Sequence, residues 1–245
     1  DSLELSNANI RKGYNVQSFS ATVQKTLTEQ LGPARWNRKG AISANGRGKS
    51  FSLTETDCLI MNPPFTDRKR LPEDYRNKLM DRTKLPHLIT ICGSSMNLWG
   101  YFIALADHLL TKNGTVAAVI PVNIFRGEST QQLRDFLTTS YALKYVVTST
   151  VDIAFSESAA YRDMLFVADK TKPNPSHSVC FVFMRTSLND MTIEKARAIA
   201  SQIRKVPIGV SVQLDDFVVK WVDPYKLQKD RNKHMSYLSG DESTQ

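Results

Sequence analysis

Residues 57–65 read Asp57-Cys58-Leu59-Ile60-Met61-Asn62-Pro63-Pro64-Phe65. The apolar run from Cys58 to Met61 predicts a short buried strand, and the proline pair stops it because proline cannot continue a ladder of backbone hydrogen bonds. Asn62-Pro63-Pro64-Phe65 then reads as a rigid loop at the strand's carboxyl end, where open α/β sheets place their ligands. The loop presents one amide and one aromatic ring, a combination able to hold a planar amine. The alternative is a plain strand-ending turn built on two prolines.

The flanking sequence supports an α/β sheet. Residues 97–110 carry Leu98, Phe102, Leu105 and Leu109 at helical spacing, with Tyr101 and Ala106 beside them. Lys112-Asn113-Gly114 predicts a left-handed cap closing that helix, and residues 116–121 predict a buried strand. Helix, turn and buried strand in this order make half of a βαβ unit. Further helices are expected around 73–82, over 131–140 and over 193–205, and further strands over 143–148 and 218–221. Residues 164–168 and 179–184 read as strands separated by a segment with Pro173 and Pro175. That separation predicts an antiparallel hairpin late in the sheet. Residues 1–32 show no strong period, 33–52 read as a long loop, and 226–245 read as peripheral.

A chain of 245 residues can form one large domain or a domain with an appendage. Cys58, Cys92 and Cys180 are widely spaced and match no metal-ligand pattern, so no metal is expected and a reducing compartment is. No apolar run approaches the roughly 20 residues of a membrane span, and no signal-peptide pattern opens the sequence. A cytoplasmic protein without a membrane partner is the expectation. The net charge is +8. Arg35, Arg38, Lys39, Arg47 and Lys49 fall in an acid-free segment before the Asn62 loop, and Arg68, Lys69 and Arg70 follow it. Two basic segments flanking one loop are what phosphate attraction requires; two solvated loops are the plainer reading.

Three islands in order now carry a resemblance. Asn62-Pro63-Pro64-Phe65 is followed by Asn97-Leu98-Trp99-Gly100-Tyr101-Phe102, with Leu109-Leu110, Gly114 and Val119-Ile120-Pro121 behind it. Phe155 then precedes the strand at 164–168. Together they resemble the gamma-type adenine-specific DNA methyltransferases of prokaryotic restriction–modification systems, over roughly residues 57–170. The resemblance implies a Rossmann-like class I methyltransferase sheet, α/β, with a late antiparallel hairpin and incomplete on its N-terminal side. It implies a catalytic domain over 1–190, and a connector or the start of a target-recognition region over 191–245. The implied cofactor is S-adenosyl-L-methionine. The implied partners are double-stranded DNA and either a missing N-terminal half or a specificity subunit.

The site residues follow from the same resemblance. Asn62, Pro63, Pro64 and Phe65 form the catalytic loop. Phe65 and Phe155 stack on the two faces of a flipped base, with Tyr161 the substitute for Phe155; a core aromatic is the other reading of Phe155. Asp1, Asn62, Pro64 and Phe102 contact the cofactor, and the eight basic residues named above contact DNA. Adenine's exocyclic amine is a poor nucleophile because its lone pair is delocalised. Two acceptors, the Asn62 amide oxygen and the Pro63 carbonyl, can draw it towards tetrahedral geometry, and these contacts strengthen as charge develops.

The family's glycine-rich cofactor loop is not found before Asn62. Gly46 and Gly48 follow no apolar strand, and residues 43–50 lack the leading glycine of a phosphate loop. The chain is therefore expected to begin partway through the fold and to bind S-adenosylmethionine weakly on its own. RNA-base methylation, glutamine methylation and inactive DNA binding are the competing readings.

Overall fold

The computed structural model describes residues 14–18, 49–53, 55–80, 86–152, 154–155, 162–174 and 176–229. Strands β1 (Tyr14–Ser18) and β2 (Lys49–Leu53) pair antiparallel with each other. Strand β3 (Thr56–Met61) follows, then helices α1 (Glu73–Met80), α2 (Pro86–Cys92) and α3 (Leu98–Leu109). Strand β4 (Leu110–Pro121), helix α4 (Gln131–Ser140), and strands β5 (Ala142–Ser149), β6 (Asp163–Asp169) and β7 (Val179–Met184) come next. Helix α5 (Ile193–Lys205), strands β8 (Val212–Gln213) and β9 (Phe217–Val222), and helix α6 (Pro224–Lys229) complete the described chain.

β3 to β9 form a seven-stranded sheet in the order β3-β4-β6-β5-β7-β9-β8. β3 is parallel to β4, and β5 is parallel to β7, while β6 runs antiparallel to both β4 and β5. The carboxyl ends of β3, β4, β5 and β7 therefore point the same way, together with the amino end of β6. This mixed α/β sheet agrees with the fold class read from sequence. Alternation along the strands divides the core in two. On β7, Val179, Phe181 and Phe183 face a main cluster containing Trp99 and Tyr101 of α3. Cys180, Val182 and Met184 face a smaller cluster with Ile199 of α5 and Phe217.

Four expectations need correction. β3 is not buried: it borders the sheet, Cys58 is exposed and Ile60 is 80% exposed. An all-apolar run has no alternation that could distinguish a border strand from a central one. The strands at 164–168 and 179–184 do not form a hairpin. β5 lies between them, because the connection between β6 and β7 passes over β5; the late antiparallel hairpin is β8–β9 instead. α3 gives way to β4 at Leu110 with extended backbone, and the left-handed residue is Asn113 (φ 67°), inside β4. Residues from 226 onward are not all peripheral, since Leu227 is 1% exposed and Gln228 Nε2 donates to the Thr138 carbonyl at 2.7 Å. β9 pairs with β7, and Ile199 of α5 packs in the smaller cluster.

Candidate active site

Met61 ends β3, and Asn62 to Phe65 lie at the sheet's carboxyl end. Burial alternates along the loop. Asn62 is exposed, Pro63 buried, Pro64 exposed, and Phe65 half-buried against the main cluster. The buried proline anchors the loop, and its fixed φ limits the shapes the loop can take. The amide of Asn62 is thereby offered to solvent from a constrained backbone.

The residues after Phe65 are stitched to the start of α3. Leu98 N–H donates to the Thr66 carbonyl at 3.2 Å, and Arg68 N–H donates to Asn97 Oδ1 at 3.2 Å. The Arg68 guanidinium reaches the Ser94 carbonyl at 2.5 Å. Asp67 caps the short 3-10 turn Arg68–Arg70 by accepting from Lys69 N–H at 2.9 Å. Of the three basic residues, Arg68 is half-buried in this brace, while Lys69 and Arg70 are exposed. α3 forms because Leu98, Trp99, Tyr101, Ala104 and Leu105 all pack inward. Burial pushes the Tyr101 hydroxyl up to about 12, with Cys92 adding to the shift and Arg68 opposing it. That hydroxyl donates to the Gly93 carbonyl at 3.0 Å. Phe102, half-buried, packs against the same cluster as Phe65.

Phe155 follows β5 and lies at the same end of the sheet. Its backbone N–H donates to Asp163 Oδ1, at the start of β6, at 2.5 Å. Its half-buried ring rests on the smaller cluster, so Phe65 and Phe155 pack against opposite faces of the sheet. The structure thus brings Asn62–Phe65, Arg68–Arg70 and α3 into one unit, with Phe155 two strands away. Asp1, Arg35, Arg38, Lys39, Arg47 and Tyr161 lie outside the described residues, and Lys49 is described only through its strand, β2. The sequence named Asn97 only as the start of the second island and did not single out Asp152 or Asp163. An acid directly before an apolar strand was the available signal for Asp163.

The mixed α/β sheet, with the Asn-Pro-Pro-Phe loop at a strand's carboxyl end, has the Rossmann-like fold of class I methyltransferases. The chain matches the Eco57I restriction-modification methylase family over residues 9–155, and it belongs to that family. No curated protein matches it. Among solved structures it is similar to the type IIG restriction endonuclease BpuSI, at 13% identity and a TM-score of 0.59, covering 75% of this chain and 21% of that one. It is also similar to a chain of a type I restriction–modification system, at 13% identity and a TM-score of 0.53, covering 78% of this chain and 38% of that one. At such identity the likeness concerns the fold. The chain spans between about a fifth and two fifths of the length of these two relatives. Among the described residues no helix is long and apolar enough to cross a membrane.

Proposed function

We propose that this chain carries the base-binding face of an S-adenosylmethionine-dependent, adenine-specific DNA methyltransferase of a restriction–modification system. The observation that carries the reading is the exposed amide of Asn62, held at the sheet's carboxyl end by buried Pro63 and by the stitches to α3. Membership of a restriction-modification methylase family supports it.

The cofactor fits this end of the sheet, because exposed Pro64 and half-buried Phe102 offer apolar surface to its adenine. Bound there, it would supply an electrophilic methyl group on a sulfonium sulfur. The chain's own residues do the rest. Asn62 Oδ1 and the Pro63 carbonyl accept hydrogen bonds from the target amine, orient its lone pair and stabilise the charge that develops on it. Phe65 covers one face of the base. Extrusion of the base costs a few kcal/mol, and stacking returns about 1–3 kcal/mol, so Phe65 and Phe155 together offset it. Exposed Lys69 and Arg70 meet the phosphates beside the flipped nucleotide.

The test is transfer of a labelled methyl group from S-adenosylmethionine to duplex DNA, RNA and protein acceptors offered in parallel. Label in the adenine N6 position of duplex DNA is the expected result. Label confined to RNA or to glutamine side chains would replace the reading with the corresponding substrate class.

A further inference from the structure

Asp163 is an acid in a place that ordinarily excludes one. It opens β6 with 1% exposure, and Met164 next to it is 2% exposed. Burying such a group is costly unless its oxygens accept hydrogen bonds. One of them accepts the N–H of Phe155, eight positions earlier, at 2.5 Å. Asp163 lies opposite Pro121, the last residue of β4, and the neighbouring Arg162 carbonyl accepts Val122 N–H at 3.0 Å. The acid therefore sits where β3, β4 and β5 end.

The other end of the Phe155 segment is also fixed. Ser149 Oγ accepts from Val151 N–H at 3.2 Å and from Asp152 N–H at 2.8 Å. Thr150 N–H donates to the Met184 carbonyl at 2.8 Å. Asp152 accepts from Leu188 N–H at 2.8 Å and Ser187 Oγ at 3.0 Å, which ties it to the segment after β7. Asp152 is thus anchored three positions before Phe155, and Asp163 holds the Phe155 N–H itself, while Phe155 stays half-buried.

We infer that Asp163 is a positioning residue for the target-base site: it fixes the Phe155 backbone so that the ring is pre-placed to stack on a flipped base. The inference rests on the proposed stacking role of Phe155. A tether made before binding also removes the cost of ordering the Phe155 backbone from the encounter.

A double-mutant cycle on the full-length protein tests this through the rate constant of methyl transfer to duplex DNA. Phe155→Ala is expected to lower it roughly tenfold through lost stacking, and Asp163→Ala by a similar factor. The combined variant is expected to be no slower than Phe155→Ala alone, and Asp163→Asn, which keeps an acceptor oxygen, to recover most of the rate. Losses that multiply in the combined variant would overturn the positioning role and leave the stacking role intact. Wild-type transfer by Phe155→Ala would overturn the stacking role, and the positioning role with it. Hydrogen exchange on the unaltered protein covers the case in which Asp163→Ala does not fold. Slow exchange at the Phe155 amide supports the tether, and exchange at the rate of an unstructured peptide refutes it.

Discussion

Each of the three cysteines meets a different environment, and the differences can be measured directly. Cys58 is exposed on β3, whereas Cys92 and Cys180 are buried. Burial pushes the Cys180 thiol up to about 12 and the Cys92 thiol further still. Cys92 Sγ also donates to the Gly100 carbonyl at 3.1 Å. Because the thiolate is the reactive form, native protein at neutral pH should take up one equivalent of iodoacetamide, at Cys58, and three only after unfolding. Peptide mapping checks the site; rapid labelling of Cys92 or Cys180 in native protein would contradict the burial described. Part of this scale was legible in sequence. Asn62 to Phe65 stood out because two adjacent prolines end a strand in few ways. Asp163 did not, because its partner lies eight positions earlier and no local pattern links residues 155 and 163.

Packing decides what the elements tolerate. Gly100 lies inside α3, where a Cβ would come within 2.2 Å of Met96 Cε and 2.4 Å of Met96 Cγ, and Met96 is fully buried. Gly100→Ala should therefore cost about 1–3 kcal/mol through overpacking, although alanine is the better helix former; urea unfolding measures it. Arg134 of α4, 5% exposed, donates to the Ile124 carbonyl at 2.6 Å and more weakly to the Gly127 carbonyl and Thr130 Oγ1. It braces the segment that follows β4. Arg134→Met keeps much of the volume but leaves buried acceptors unmet, a loss of about 1–3 kcal/mol.

At the same end of the sheet, beyond the carboxyl end of β7, Asp216 accepts from Thr186 Oγ1 at 2.5 Å and pairs with Lys195 of α5 at 3.2 Å. The Thr186 hydrogen bond, then Lys195, hold its carboxyl below the usual carboxylate range. A depressed folded value means that the contribution exists above the unfolded value and is lost as pH falls through the folded one. The melting-temperature gap between wild type and Asp216→Asn should accordingly be present at neutral pH and close in strong acid. Helices α4 and α5 were readable at their observed limits because their periods are strong, and Thr192 caps α5 by accepting from Lys195 N–H. The placement of β5 between β6 and β7 was not readable, since strand order depends on non-local pairing.

For the whole molecule, the sheet gathers at one end what the sequence spreads over about a hundred residues. The parallel sense of β3, β4 and β5 places the Asn62 loop, the Arg134-braced segment and the Phe155 segment on the same side. Fold class was legible because helix and strand periods alternate along the chain. The exposed face of β3 was not, because exposure is a property of the assembled sheet. Duplex binding at this end predicts a distribution of roles among the basic residues after Phe65. Arg68 is committed to Ser94, and Lys69 and Arg70 are exposed. Replacing Lys69 and Arg70 by Ala should lower the slope of log binding constant against log salt by about 2; an unchanged slope would remove them from the phosphate contacts.

The central claim is that the Asn62 amide prepares an adenine amine for methylation. It is tested most directly by the yield of N6-methyladenine in duplex DNA with S-adenosylmethionine, comparing wild type with Asn62→Ala. The account predicts a fall of about 100- to 1,000-fold, as for loss of a preorganised polar group at a developing charge, with duplex affinity unchanged. Methylation by Asn62→Ala at a rate near that of wild type would contradict it.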